Sequence, residues 1–157
     1  MNEEYKNFLK TANKKQITPH FNMYEVCFSQ TALQKNIDNR PNNQILINAT
    51  ALCKNILEKV REHYNKPIIV HSIYRCGQLN IAVGGVKTSQ HCTGQAVDFT
   101  IDGINDLDIV NWIRNNLIFD QIILEKVGNT HWVHCSFSLT HNRKQCLKFD
   151  GYKYISF

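Results

Sequence analysis

Apolar positions along the chain repeat with two different periods. Between Gln44 and Tyr64, the residues Ile45, Ala49, Leu52, Cys53, Ile56, Leu57, Val60 and Tyr64 recur at three- and four-residue steps. Lys54, Glu58, Lys59, Arg61 and Glu62 decorate the other side. One apolar stripe on an otherwise charged cylinder predicts an amphipathic helix laid on a core. Pro67 ends it, and the β-branched run from Pro67 to Ile73 predicts a strand. From Gln95 to Ile101 the period drops to two. Val97, Phe99 and Ile101 face one way while Ala96, Asp98 and Thr100 face the other, as in a half-buried strand. A second helix is predicted over Asn105–Asn116, with Leu107, Val110, Ile113 and Leu117 on one face, and further strands over Phe119–Glu125, His131–Ser138 and Lys148–Ile155.

The rest of the chain is less regular. Residues 1–19 read as a polar lead-in with a short helix around Tyr5–Ala12, and Phe21–Ala32 holds another short helix. Asn36–Asn43 is turn-rich. Residues 76–95, with Gly77, Gly84, Gly85 and Gly94, read as irregular. One long helix, a shorter one and hairpin-like strands predict a single α+β domain over residues 20–157, a mostly antiparallel sheet packed with helices.

Length and charge narrow the function classes. A chain of 157 residues suits one domain and buries a core without disulfide staples. No run approaches the roughly 18 apolar residues of a membrane helix, so no membrane partner is expected. The segment Met1–Lys15 is polar and charged, which reads as no signal peptide. The net charge of +5 permits an anionic partner, nucleic acid or cell-wall polymer, but demands none. No interleaved basic–aromatic cluster supports nucleic-acid binding. Six cysteines form no CxxC pair, so a four-Cys zinc knuckle is disfavoured and reduced, buried thiols are expected.

The chemistry concentrates in Ser89-Gln-His91-Cys-Thr-Gly94-Gln-Ala96-Val-Asp98. Gly94 allows a tight turn that can bring His91 and Asp98 to one point. As a lone pair, His and Asp more often form a hydrogen bond than a metal site. The later His131-Trp132-Val133-His134 changes that weighting. A third ligand from another strand completes a His/Asp/His set, and three protein ligands with an open position is the arrangement of catalytic zinc.

The pattern Ser89-x-His91-x-x-Gly94-x-Ala96-x-Asp98 followed by Trp132-Val133-His134 resembles the zinc-dependent M15 peptidases, which include D-alanyl-D-alanine carboxypeptidases and phage-type peptidoglycan peptidases. Ser72-Ile-Tyr74-Arg75 and Leu79-Asn80-x-x-Val83-Gly84-Gly85 extend the likeness upstream, and it covers residues 18–138. The resemblance implies a Hedgehog/DD-peptidase-like fold and Zn²⁺ held by His91, Asp98 and His134. It implies Arg75 as a grip on a substrate carboxylate or an oxyanion. Without that context Arg75 reads first as a structural ion pair at a strand end.

The general base stays open at this point. Relatives carry Glu three residues before the last ligand, where this chain has His131. In simple strand geometry positions 131 and 134 face opposite ways, so His131 serves only if it lies in the turn before the strand. Glu125 is the competing base. Ser89 and Trp132 are candidate substrate contacts. Cys92 and Cys135 are expected in the core, and His71 as a hydrogen-bonded core residue.

The implied activity is hydrolysis of peptidoglycan stem or cross-link peptides, as a carboxypeptidase or an endolysin-like endopeptidase. A monomer acting on the cell wall from the host cytoplasm or a virion is expected. A zinc-binding but inactive structural or virion domain of the same fold is the alternative, motivated by the histidine at position 131.

Overall fold

A computed structural model describes residues 2–157. The helices are α1 (Glu3–Ala12), α2 (Met23–Cys27), α3 (Gln30–Gln34), α4 (Asn43–Leu52), α5 (Glu58–Tyr64), α6 (Gly77–Ala82) and α7 (Asp106–Asn116). The strands are β1 (Ile69–Ser72), β2 (Ala96–Thr100), β3 (Gln121–Val127), β4 (Thr130–Ser136), β5 (Gln145–Phe149) and β6 (Tyr154–Ser156). No helix among the described residues is long and apolar enough to cross a membrane.

The long amphipathic segment forms where its periodicity predicts, but not as one uniform helix. α4 and α5 are joined by a π turn over Cys53–Leu57. Underwinding lets two adjacent pairs, Leu52/Cys53 and Ile56/Leu57, all become fully buried. Asn42 caps the start by accepting from the Ile45 backbone N–H, and Asn65 ends the segment in a left-handed conformation two residues before Pro67.

The strands form one mixed sheet in the order β1-β2-β4-β3-β5-β6. All neighbours are antiparallel except β3 and β5. The single strand expected over Lys148–Ile155 is corrected to two, because the turn carrying Gly151 (φ 98°) folds the segment into a β5–β6 hairpin. The stretch read as irregular contains α6 and a 3₁₀ turn over Gln90–Thr93, both too short to show a period. The helix expected within Phe21–Ala32 is two, α2 with a reciprocal Asn22/Glu25 capping box and α3 capped by Ser29.

One face of the sheet is covered. Val97, Phe99, Ile122, Val133 and Cys135 pack with Ala49, Leu52, Ile56 and Val60 and with Ile109, Val110 and Ile113 of α7. The polar lead-in is itself docked. Tyr5, Leu9 and Ala12 bury against Met23, Cys27, Ala32 and Leu79, and the Tyr5 hydroxyl donates to the Cys27 carbonyl at 2.6 Å. Strand alternation then puts Asp98, Glu125, Trp132 and His134 together on the other, open face.

Candidate metal centre

His91 reaches the open face from the 3₁₀ turn between α6 and β2. The Ser89 hydroxyl oxygen accepts from the His91 backbone N–H at 3.4 Å, capping the turn. Gly94 closes it with φ 72°, and a Cβ there would lie 2.8 Å from the Ile45 carbonyl oxygen, so only glycine fits. β2 then carries Asp98 directly opposite His134 of β4. The coordinating atoms of His91, Asp98 and His134 all lie within 4.8 Å of one another, so these residues can hold a metal ion.

The protonation pattern of this trio fits that role. The Ile73 carbonyl can only accept, so its 2.8 Å contact fixes a proton on His91 Nδ1. His91 Nε2 therefore presents a lone pair, fully buried and without a hydrogen-bond partner. It faces Asp98 Oδ2 at 3.2 Å. Asp98 Oδ1 lies 2.9 Å from His134 Nδ1. Burial holds the His91 pKa below its ordinary value and keeps the ring neutral. Burial opposes ionisation of Asp98 as well, while His134 Nδ1–H, donating to Oδ1 at 2.9 Å, favours the carboxylate. Two electron-rich atoms facing each other, His91 Nε2 and Asp98 Oδ2, with little solvent exposure between them, suit a cation. The second contact of His91, to a backbone carbonyl, sets its tautomer as in metal-ligating histidines.

The centre lines a cavity of about 620 Å³ together with Arg75, Ser89, Gln90, Glu125, Trp132 and Arg143. Glu125 is buried and pairs across the β-ladder with Trp132, two residues from His134. Burial raises its pKa, His134 pulls it back and Asp98 pushes it further up. Arg75 follows β1, and its backbone N–H donates to the His91 carbonyl at 3.1 Å. Its buried Nε has no partner, and no carboxylate pairs with it among the described residues, which disfavours the structural ion-pair reading. Burial draws the guanidinium below its ordinary value while Asp98 supports its charge.

His131 is not brought to this centre. It lies within β4 rather than in the preceding turn, and alternation points it away from the face of His134. Its Nδ1 meets Asp106 Oδ2, at the start of α7, at 2.5 Å, and its side chain is mostly exposed. His71 departs from its expected core position: it is exposed and bonded to the Thr100 hydroxyl at 2.9 Å. Cys135 is fully buried on the covered face and Cys92 is half-buried. Neither belongs to the metal-binding group.

Two supports escaped the motifs. Fully buried Asn39 donates to the Cys27 and Tyr74 carbonyls at 2.8 and 3.0 Å and accepts from the Cys76 N–H at 2.8 Å, bracketing Arg75. Asp120 is gripped by Arg143 through Nε at 2.9 Å and Nη2 at 2.6 Å and accepts from Gln90 at 2.9 Å. The Arg143 contacts hold its pKa at about 2, against burial. In sequence Asn39 is one residue of a turn, and Asp120 and Arg143 are 23 positions apart with no local signal.

A family model described as Peptidase M15 matches residues 19–136. No curated protein matches the chain.

Proposed function

The chain belongs to the M15 peptidase family, and from that premise we propose that it is a zinc metallopeptidase that hydrolyses peptidoglycan stem or cross-link peptides. The observation that carries the reading is the buried His91 Nε2, without a hydrogen-bond partner and 3.2 Å from the Asp98 carboxylate. Zn²⁺ held by His91, Asp98 and His134 would supply a Lewis acid that polarises the scissile carbonyl and acidifies water.

The chain's own residues supply the rest. Glu125 takes the proton of the attacking water on a carboxylate oxygen and returns it to the nitrogen of the leaving amine. Its burial supports both halves of that cycle, since a raised pKa makes the carboxylate a better base and leaves a proton available to give back. The Arg75 guanidinium, on the wall of the cavity and without a carboxylate partner in the described chain, grips a substrate carboxylate or the developing oxyanion. Ser89 fixes the turn that aims His91, and Trp132 forms a wall of the cleft. The mild excess of basic residues is compatible with an anionic cell wall. We place its action on the wall, as a monomer, from the host cytoplasm or a virion.

Mass spectrometry of muropeptides after incubation with purified peptidoglycan tests the proposal. New amine termini should appear, vanish with a chelator and return with added Zn²⁺. A protein that binds zinc but releases no amine from any stem peptide would instead be an inactive domain of the same fold.

A further inference from the structure

The family match ends at residue 136, yet the cleft continues past it. The β5–β6 hairpin extends the sheet beyond β3, and Leu147 and Tyr154 line the cavity alongside Glu125, Trp132 and His134. Register places Tyr154. Trp132 pairs with Glu125, Glu125 with Phe149, and Phe149 with Tyr154, so the four form one row across the open face. The Tyr154 ring leans on Phe149 with centroids 4.6 Å apart. Its hydroxyl has no partner within the described chain. Burial, then the negative charges of Glu125 and Asp98, hold the phenol above its ordinary pKa. A phenol is protonated at neutral pH, so Tyr154, 56% exposed on the wall of the cavity, can donate to an acceptor lying there.

We propose that Tyr154 is a substrate-binding residue whose hydroxyl donates to a backbone carbonyl of the peptide lying across the centre. β6 is one edge of the sheet, and Arg75 follows β1 at the other. The peptide is thereby held from both sides: its carbonyl by Tyr154, its carboxylate or oxyanion by Arg75. This assignment rests on the peptidase reading and adds a contact from a strand outside the matched segment.

The test compares zinc-loaded parent, Tyr154→Phe and Tyr152→Phe, the last altering a side chain that is 94% exposed and outside the cavity. Two quantities are read: kcat/KM on a purified muropeptide, and affinity for a phosphinate analogue of an alanine dipeptide. Tyr154→Phe should lower both by about tenfold with unchanged zinc content, and Tyr152→Phe should match the parent. Equal values for parent and Tyr154→Phe overturn the assignment while leaving the peptidase reading intact. A parent that holds zinc but neither cleaves nor binds overturns both.

Discussion

β4 carries two histidines three positions apart, each in contact with an aspartate, and they do unlike work. His134 meets Asp98 at 2.9 Å on the open face, beside His91, whose buried Nε2 has no hydrogen-bond partner. His131 meets Asp106 at 2.5 Å where β4 passes the start of α7, mostly in solvent. Chemically the pairs are the same. What separates them is the pleat of one strand, which sends the two side chains to opposite faces, and the burial that follows. A His–Asp contact complete in itself is a latch between two elements. One set beside a second imidazole, whose buried lone pair faces the same carboxylate, is a place for a cation.

The largest effect that sharpens this contrast is expected from His91→Ala. It removes the ligand fixed by the Ile73 carbonyl, and hydrolysis should fall to background with loss of bound metal, checked by activity and metal analysis. Next is Glu125→Gln, expected to lower kcat by about 10²–10⁴-fold with metal retained. The sign of the pH dependence follows from the raised Glu125 pKa. The carboxylate must be ionised to accept a proton, so activity should fall on acidification at a pH above the ordinary glutamate value of about 4.3. A pH–rate profile whose acid limb lies at or below that value breaks the assignment of Glu125.

Smaller is Asp120→Asn, which probes a carboxylate satisfied wholly within the chain. With the folded value depressed to about 2 from 3.8, its contribution is present above pH 4 and lost as pH falls toward 2. The variant should be less stable by about 1–2 kcal/mol at neutral pH, since Arg143 is half exposed, and equal to the parent near pH 2, measured by denaturant titration. Smallest is His131→Ala, with a stability loss of about 1 kcal/mol or less and activity within about twofold of the parent.

How far the sequence could be read follows the range of each signal. The α4–α5 stripe, the alternation of β2 and the spacing from Ser89 to Asp98 are local patterns, and each matches an element or a juxtaposition in the structure. The π turn is invisible to a periodicity count, because it shifts the phase by one residue without changing which residues are apolar. The β5–β6 hairpin reads as one strand in sequence because its turn, Asp150–Lys153, is polar but short. The role of His131 is open in the sequence, since only the exact start of β4 decides whether position 131 obeys the pleat. Asn39 and the Asp120–Arg143–Gln90 cluster are assembled by tertiary contacts between distant segments, and no local pattern encodes them.

The central claim is that the metal belongs to His134 and its neighbours and owes nothing to His131. Native mass spectrometry of the zinc-loaded parent, His134→Ala and His131→Ala measures it directly. The expected metal content is one ion per chain in the parent, none in His134→Ala and one in His131→Ala. Retention of the ion by His134→Ala, or its loss from His131→Ala, would contradict the account.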